Sequence, residues 1–598
     1  MPLKVNVLLS CEVKELYNDV KPFAARKKED YLMSSSKKVS LLLLLTTVFI
    51  MTSLSACGDA GTIAVGTPAD ANGTDAVAVN DNAVNDEAWP VVNHFLNQPW
   101  MTYWHWGEDE ISRAIMAAVE VDVRLARANT GDNQQLTLFI ASGDLPDVVT
   151  VDLWSPAHYM LQSSGLVAEV RPIIDRVDPL FNDYIGEIYF ELLADDEGIN
   201  WFLAACVFTD IIFANNLYAP VGPWNPALLV REDLFDELGR PDISTPDGKL
   251  STLLNVMDLF PDVVPFNFNR DMSTVAGGLV NSPFGEGWII NGFGVQHFYR
   301  TADDRVIGAW NDPRYLDAIK FISRMYRYGI ITAETLVQEF EQARAQIESG
   351  NTFMWIGGVN DIGRVPSGNP DVRYIGAPPL NQMRGMQQVG LGWTSTFFYA
   401  GAPNIDAAVR YMTFMYSKEG NILAQWGREG IEWYWGDDGL PYFTDEKVER
   451  RARDFQAFQQ ETGFRLYYWG INYWDHYIEK AMMTRDPFLA SAIELYGPYF
   501  GARIDFLSLT VDPDSEEGLI AQRVIDTQNM SMVNIIMSDS DAEVELRFNE
   551  MISAFHDLGI ERVEAIWTER SNRKRDIFNR AGVSYMYGWP RWGGNPDS

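Results

Sequence analysis

Tryptophan is the residue type that most clearly offers binding chemistry in this sequence. The chain contains 19 tryptophans among its 598 residues. A flat indole ring can stack against the apolar C–H faces of a sugar, while planar amide and carboxylate groups nearby pair with its hydroxyls. The sequence therefore holds many flat rings of the kind that can stack on a ring-shaped ligand.

Six tryptophans are candidates for such a site because of where they fall in the sequence. Three of these tryptophans stand in turn-like segments beside Gly, Pro or Asp. A fourth follows a predicted strand at Gly350–Met354 and is expected to emerge at the end of that strand. The last two are two positions apart on an extended stretch, so their side chains would share one face. Packing in the core is the competing interpretation for each tryptophan taken singly. The candidate ligand-binding residues are Trp154, Trp224 and Trp393 in turns, Trp355 after the strand, and Trp433 with Trp435 on the extended stretch.

Catalytic and metal-binding patterns are weak by comparison. The sequence has no G-x-S-x-G elbow, no H-E-x-x-H motif and no phosphate-cradling Gly-rich loop. His105 is followed by Glu108 and Asp109, but these carboxylates are explained by capping of a helix start. A surface glycosidase stays open as an alternative, because it needs only two carboxylates about 5 to 10 Å apart.

An apolar run near the N-terminus ends at one cysteine between small residues. Residues 39–56 carry no charge and follow Ser34-Ser35-Ser36-Lys37-Lys38, which is the layout of a secretory signal. The ending Leu54-Ser55-Ala56-Cys57 resembles the lipobox of bacterial lipoproteins, in which the cysteine becomes the lipid-bearing N-terminus. We expect two or three acyl chains, such as palmitate, on Cys57, because one chain binds membranes only marginally. An N-terminal anchor helix is the alternative.

The segments around this signal predict how the chain is presented. Met33 is a natural start for the signal, so residues 1–32 are interpreted as a start-site misassignment and residues 33–57 as the signal peptide. Residues 58–88 are rich in Gly, Ala, Asn, Asp and Thr and contain no aromatic residue. Such a segment buries too little surface to fold, which predicts a flexible tether between the membrane and an extracellular body.

Composition narrows the classes of partner. The chain holds 82 acidic and 47 basic residues, a formal charge of −35, which disfavours nucleic-acid binding. With 47% apolar residues it can fold by packing alone. The cysteines Cys11, Cys57 and Cys206 form no disulfide or zinc pattern, and the apolar neighbours of Cys206 predict a buried thiol.

Hydrophobic periodicity predicts strands that alternate with helices, which indicates an α/β fold. Val91–Phe95 makes a poor strand on this criterion. The predicted strands are Val119–Leu125, Asp147–Val151 and Ala227–Val230; the predicted helices are Glu108–Val119, Asn133–Ser142 closed by Gly143, Glu232–Leu238, Leu316–Tyr328, Ala343–Glu348, Ile405–Ser417 and Val544–Leu558.

Short segments in a fixed order carry a resemblance to a known family. Ala141-Ser142-Gly143-Asp144-Leu145-Pro146-Asp147-Val148 closely resembles the signature of extracellular family 1 solute-binding lipoproteins, the sugar receptors of ABC importers. Five further segments of this chain resemble other segments of the family and follow in the expected order. They are Leu229–Gly239, Met325–Ile331, Gly350–Met354, Tyr416–Gly420 and Gly427–Trp433.

The resemblance implies a two-lobed α/β fold of the type II periplasmic-binding-protein kind, with a hinge and a ligand cleft between the lobes. Lobe 1 is expected over residues 89–222 with about 376–420, and lobe 2 over residues 223–375 with about 421–598. Asp144 and Glu429 join the ligand-binding candidates, with turn formation as the competing interpretation.

The implied function is capture of an oligosaccharide and its delivery, by a monomer, to ABC permease subunits, without catalysis or a cofactor. A sugar-sensing receptor for a two-component system is the alternative. Many relatives carry a calcium-loop-like segment after the domain-crossing helix. Thr245–Leu250 is too short to supply such alternating oxygen ligands, so no metal site is predicted.

Overall fold

The structure is a computed structural model of the chain. It describes residues 89–99, 105–131, 133–153, 155–207, 226–268, 286–296, 298–336, 338, 340–358, 362–363, 365–366, 368–383, 386–387, 391–437, 441–464, 491, 494–496, 499–506, 509 and 511–587. The predicted signal peptide with Cys57, the predicted tether, Trp154 and Trp224 lie outside these residues.

The strands and helices of the described residues alternate through most of the chain. The strands are β1 Val91–Leu96, β2 Asp122–Arg127, β3 Val148–Asp152, β4 Leu203–Val207, β5 Pro226–Arg231, β6 Val264–Asn267, β7 Phe298–Arg300, β8 Val306–Gly308, β9 Thr352–Gly358, β10 Tyr374–Gly376, β11 Met386–Gln387, β12 Leu391–Phe398, β13 Trp433–Trp435, β14 Pro441–Phe443, β15 Phe500–Arg503 and β16 Met586–Tyr587.

Helices connect most of these strands. They are α1 Glu110–Val119, α2 Gln134–Ser142, α3 Pro156–Ser163, α4 Val170–Val177, α5 Phe181–Ile185, α6 Glu187–Leu193, α7 Glu232–Glu237, α8 Pro246–Leu259, α9 Glu286–Gly292, α10 Pro313–Arg327, α11 Phe340–Glu348, α12 Ile405–Tyr416, α13 Lys418–Trp426, α14 Asp445–Arg453, α15 Phe455–Thr462, α16 Glu516–Ile536, α17 Asp541–Leu558 and α18 Ile560–Ala581. Short 3-10 turns lie at Ala309–Asn311 and Ile504–Phe506.

Lobe 1 is built on a sheet with the strand order β2-β1-β3-β12-β4. The strands β2, β1 and β3 are parallel, and β12 runs antiparallel to both β3 and β4. Helices return the chain between the parallel strands, and α12 packs beside them through Tyr411 and Met412. Both faces of the sheet are therefore covered, as expected for parallel strands.

Lobe 2 has its own sheet and its own apolar core. The strand order is β10-β5-β9-β6, with β6 and β9 parallel and the other pairs antiparallel. The core includes Leu229 and Met354 from the sheet and extends to Val524, Phe548 and Trp567 of the long C-terminal helices.

Two segments pass from one core to the other. Within the 3-10 turn, Ile504 belongs to the lobe 1 core and Phe506 to the lobe 2 core. Along α18, Trp567 packs in lobe 2 and Ile577 in lobe 1. These crossings lie in the part of the chain that the sequence assigned to lobe 2 alone.

The predicted elements and the fold class are largely confirmed, with small differences at the ends. The α1 helix starts at Glu110, and Asp109 is its N-cap, since its carboxylate accepts the Ser112 backbone N–H. Gly143 closes α2 with a φ of 71°, in the left-handed region that glycine tolerates. The expectation of a poor strand at Val91–Phe95 is wrong, because this segment is β1, between β2 and β3.

The segment after α12 packs against lobe 1. Arg428 and Arg450 both approach Glu110 of α1, at 3.7 and 3.9 Å. The sequence placed everything after residue 420 in lobe 2, whereas these ion pairs tie residues 428–450 to a lobe 1 helix.

Among the described residues, no helix is long and apolar enough to cross a membrane.

Candidate functional site

The carboxyl ends of β1, β2 and β3 meet at one edge of the lobe 1 sheet, because the three strands are parallel and in register. In open α/β sheets, ligands bind outside such ends. We call this the carboxyl edge. The residues that directly follow these strands are therefore candidates for ligand contacts.

Four polar side chains at the carboxyl edge are joined in pairs. Asn97 and Gln98 follow β1 directly, Asp152 ends β3, and Asn133 precedes α2. Asn97 Nδ2 donates to Asn133 Oδ1 at 2.6 Å, and Gln98 Nε2 donates to Asp152 Oδ1 at 2.9 Å. We call these four residues the carboxyl-edge cluster.

Backbone geometry fixes the carboxyl-edge cluster in place. The N–H of Asn97 donates to the carbonyl of Thr150 at 2.8 Å, which extends the pairing of β1 with β3 by one residue. Asn133 holds a φ of 59°, a left-handed conformation that asparagine adopts more readily than most residues. The side chains are thus presented by strand ends and a helix start, which are rigid supports.

The carboxyl-edge cluster offers acceptors that nothing in the described part of the chain satisfies. Asn97 Oδ1 and Gln98 Oε1 are buried, and neither receives a hydrogen bond from a described residue. An unsatisfied buried acceptor costs about 1–3 kcal/mol. Together with the Asp152 carboxylate, these oxygens match a ligand that brings hydroxyl donors.

Asp152 is the charged member of the carboxyl-edge cluster. Desolvation raises its pKa above the ordinary value, and the hydrogen bond donated by Gln98 opposes the rise. The residue as a whole is exposed at the strand end. A carboxylate in this position would repel an anionic ligand and accept a hydrogen bond from a neutral one.

Two of the predicted tryptophans fall next to this edge in the chain. Thr394 of β12 pairs with Asp152, so Trp393 is one residue further along at the same edge. The prediction of a turn at Trp393 is wrong, because its backbone belongs to β12, where the register shifts between Leu391 and Thr394. The side chain of Trp393 and the whole of Trp154, two residues after Asp152, lie outside the described residues.

Asp144 is placed at the other end of the sheet. The α2 helix begins at the carboxyl edge and runs back, so the loop after it, which contains Asp144, enters β3 at its amino end. The backbone carbonyl of Gly143 accepts a hydrogen bond from Tyr399 Oη at 2.9 Å, just after the far end of β12. Asp144 is exposed there, in the predicted loop but away from the carboxyl-edge cluster.

Trp355 is part of the lobe 2 core. The prediction that it emerges at a strand end is wrong, because β9 continues to Gly358. Its side chain is buried, and its ring meets Tyr374 edge-on, with centroids 5.8 Å apart.

Trp433 and Trp435 lie on β13 and, as predicted, share one face, with ring centroids 5.0 Å apart. Their environments differ, because Trp433 is 2% exposed and Trp435 is 39% exposed. The Trp433 indole N–H donates to the carbonyl of Gly427 at 2.9 Å, and Trp426 stacks on Phe443 beneath it with centroids 4.4 Å apart. Trp433 thus anchors the β13–β14 hairpin, and Trp435 offers its ring to solvent.

Glu429 lies just before this hairpin and is exposed. The charged residues near it are paired with each other, since Arg428 Nε donates to Glu432 Oε1 at 3.0 Å. Arg428 also approaches Glu110, at the start of α1. Because α1 starts on the side of the carboxyl edge, the hairpin stands on that side of lobe 1.

The comparison with protein families decides the class of the protein. A family model described as bacterial extracellular solute-binding protein matches residues 109–422, which is more than half of the 598 residues. This chain belongs to that family.

Solved structures agree with this assignment at the level of the fold. An HMO-binding, ABC-transporter-associated solute-binding protein from Bifidobacterium longum infantis is 14% identical, with a TM-score of 0.59 over 81% of this chain and 99% of that chain. FusA of S. pneumoniae in complex with kestose is also 14% identical, with a TM-score of 0.62 over 81% and 99%. The alginate-binding protein AlgQ2 is 16% identical, with a TM-score of 0.58 over 81% and 98%.

The two-lobed α/β fold of a type II solute-binding protein is thereby confirmed. No curated protein sequence matches the chain. Within the residues described here, no group of three or more His, Cys, Asp or Glu side chains could hold a metal ion.

Sequence reasoning missed the carboxyl-edge cluster of this solute-binding protein. The sequence does not point to Asn97 and Gln98, because the pattern of Val91–Phe95 predicts a poor strand and so no strand end before these residues. Asp152 had a usable signal, since it follows the buried run Val148–Val151 directly. A polar residue at the carboxyl end of an apolar strand is the pattern to look for.

Proposed function

We propose that this solute-binding protein, anchored through a lipid on Cys57, captures a neutral oligosaccharide and delivers it to an ABC importer. The observation that carries the proposal is a pair of buried acceptors beside Asp152, Asn97 Oδ1 and Gln98 Oε1, to which no described residue donates a hydrogen bond. A sugar supplies hydroxyl donors in the number and density that such acceptors need.

Aromatic stacking would complete the site. Trp435 is the described tryptophan that offers an open ring on the side of the carboxyl edge. Trp154, Trp224 and Trp393 remain proposed ligand contacts. The burial of Trp355 and Trp433 favours structural roles for these two candidates. Glu429 stays a proposed ligand contact beside the hairpin, whereas Asp144 is exposed at the other end of the sheet.

The ligands of similar solved proteins support the proposed ligand class. One such protein is named as HMO-binding, and another was solved in complex with kestose. The acidic character of this chain, with a formal charge of −35, points to neutral rather than uronic sugars. Capture would proceed by closure of the two lobes about the sugar, which is a hinge motion.

Titration calorimetry with a panel of neutral oligosaccharides, with chromatography of the sugar afterwards, tests this proposal. We expect saturable binding and intact sugar. Asn97→Ala should weaken binding about tenfold, because it removes an acceptor that a sugar hydroxyl would satisfy in the complex. Asn93→Ala is the matched control, since Asn93 is on the same strand near its other end, where its backbone N–H donates to Asp147.

Equal affinities for Asn97→Ala and Asn93→Ala would contradict the placement of the site at the carboxyl edge. Breakdown of the sugar during the titration would indicate that the protein is a glycosidase rather than a binding protein. Binding of uronic but not neutral oligosaccharides would contradict the proposed ligand class.

A further inference from the structure

Three segments that pass between the lobes meet in a small sheet. The β11 strand lies between β10 of lobe 2 and β12 of lobe 1, β15 leads into the turn at Ile504–Phe506, and β16 follows α18. The strand order is β11-β15-β16, with β11 parallel and β16 antiparallel to β15. We call these three strands the hinge sheet, because segments that connect two lobes are where a hinge motion is absorbed.

A buried carboxylate, Asp505, follows the hinge sheet and lies between two arginines. Asp505 is 0% exposed and stands in the chain between Ile504 of the lobe 1 core and Phe506 of the lobe 2 core. Arg575 Nε donates to Asp505 Oδ2 at 2.8 Å, and Arg300 Nη2 lies 3.7 Å from the same oxygen. Since a buried charge needs its partners, Asp505 fixes the position of Arg575 at this crossing.

Arg575 belongs to the part of α18 that is attached to lobe 1. Two residues before it, Arg573 Nη2 donates to the carbonyls of Ala194 and Asp195 of lobe 1, at 3.1 and 2.9 Å. The Arg575 guanidinium lies over the ring of Tyr585, 4.9 Å from its centroid, and Tyr585 packs against the lobe 1 core. Arg575 is therefore expected to move with lobe 1.

The β7–β8 hairpin belongs to lobe 2 and reaches this part of α18. Phe298 and Val306 of the hairpin pack in the lobe 2 core. In the turn between the strands, Asp304 Oδ1 accepts from Arg300 Nη1 at 2.8 Å and from Arg575 Nη1 at 3.3 Å. The contact with Arg300 stays within lobe 2, whereas the contact with Arg575 joins the two lobes. We call Asp304 and Arg575 the interlobe ion pair.

The interlobe ion pair lies away from the carboxyl edge. The β3 and β4 strands both run antiparallel to β12, so β4 starts at the edge of the lobe 1 sheet that is opposite the carboxyl edge. Asp195, which binds Arg573, accepts the indole N–H of Trp201 at 2.8 Å, two residues before β4. The part of α18 that contains Arg575 is thus held near the opposite edge.

We propose that the interlobe ion pair holds the lobes in the arrangement described here and breaks when they close about a sugar. A rotation about the hinge sheet that brings the carboxyl edge towards lobe 2 moves the opposite edge away from it, which separates Arg575 from Asp304. The cost of breaking the pair lowers the affinity for sugar. Asp304 is thus a positioning residue, and this role rests on the proposed sugar-binding function.

Titration calorimetry on the full-length protein, with a panel of neutral oligosaccharides that includes maltotriose and raffinose, tests the proposal. Asp304→Asn removes the charge opposite Arg575 and keeps the turn, because asparagine also adopts the left-handed φ of 67° found at Asp304. We expect this variant to bind sugar about threefold more tightly, as for a partly exposed ion pair. Asp303→Asn is the matched control, since Asp303 pairs with Arg305 of the same hairpin and should leave the affinity unchanged.

Small-angle X-ray scattering of the protein without sugar gives a second test that needs no ligand. Asp304→Lys places a positive charge opposite Arg575, at a side chain that is 63% exposed, so the fold should be kept. Because like charges repel, we expect a larger closed population and a smaller radius of gyration than for Asp303→Lys. A role in stability alone would change neither this radius nor the affinity for sugar.

Unchanged or weaker sugar binding by Asp304→Asn, or an equal gain in Asp303→Asn, would overturn the proposal. So would a radius of gyration for Asp304→Lys that equals or exceeds that of Asp303→Lys. If the unmodified protein bound no sugar, the sugar-binding function would fail, and the scattering comparison would still decide whether the interlobe ion pair holds the lobes apart.

Discussion

The two lobes of this solute-binding protein bury polar groups in different ways. In lobe 1, His94 Nε2 lies 2.8 Å from Thr150 Oγ1, which lies 2.7 Å from Thr396 Oγ1. On the other face of β12, His158 Nδ1 lies 3.0 Å from Ser395 Oγ. Each face of the lobe 1 sheet therefore carries a hydrogen-bonded histidine.

Lobe 2 buries a lysine in an apolar setting instead. Lys249 lines a cavity of about 20 Å³ together with Leu228, Phe266 and Phe321. Its Nζ receives no hydrogen-bond partner from the described residues. Burial lowers its pKa to about 7, although Asp242 opposes the shift.

This difference predicts that the lobes respond to acid in separate pH windows. Lys249 takes up a proton more readily in the unfolded chain, so its contribution to stability falls as the pH drops from about 10.5 to about 7. The His94 pKa is lowered by burial from 6.5 to about 3, so its contribution falls between those two pH values. At neutral pH the burial of Lys249 therefore costs more stability than the burial of His94.

Lys249→Met should give the largest effect. Replacing the ammonium by an apolar group of similar length removes a penalty of up to about 5 kcal/mol below pH 7, from the size of the pKa shift. Urea denaturation at pH 6, 8 and 10 should show a stabilised variant whose advantage shrinks towards pH 10. Lys320→Met is the control, because Lys320 lies at the surface and pairs with Glu545. If Lys249→Met is less stable than the unmodified protein at pH 6, the interpretation that the buried Lys249 ammonium destabilises the fold is wrong.

His94→Gln should flatten the acid limb of the stability curve. A glutamine can still bond to Thr150 but does not take up a proton, so between pH 6.5 and 3 the slope should fall by at most about 1.4 kcal/mol per pH unit. His158→Gln should act in the same window, since burial also lowers its pKa to about 3. Denaturation curves at several pH values would measure how the free energy of unfolding changes with pH in each variant. If this slope is unchanged in both variants, the two histidines are not buried in the neutral form.

Much of the fold could be predicted from the sequence because it depends on local patterns. The apolar spacing of α10 and the glycine after α2 predicted those helices within a few residues. The β1 strand was missed because His94 and Asn93 interrupt its apolar pattern. His94 is accommodated by hydrogen bonds to Thr150 and Tyr411, which are distant in sequence and invisible to a local rule.

The candidate site was harder to predict because side-chain burial depends on the assembled sheet. Trp433 and Trp435 stand on either side of Tyr434 in the sequence, yet Trp433 is buried and Trp435 is exposed. Asp144 and Asp152 both flank β3, but the direction of the strand puts only Asp152 at the carboxyl edge. The position of each aspartate relative to the site therefore depends on the direction of β3, which the composition of the segment does not reveal.

Thr396→Val should give the smallest effect and is the sharpest test of the lobe 1 network. Valine has nearly the same shape, so packing is kept while the hydrogen bond to Thr150 is lost, and we expect a cost of about 1–3 kcal/mol. Thr150 keeps its contact with His94, which limits the loss. Thr352→Val is the matched control in lobe 2, where Thr352 is buried on β9 and lies 3.4 Å from Asn267 Nδ2. Because that contact is long, urea denaturation should show a smaller cost in lobe 2. An equal or larger cost there would contradict the expected difference between the short Thr150–Thr396 hydrogen bond and the long Thr352–Asn267 contact.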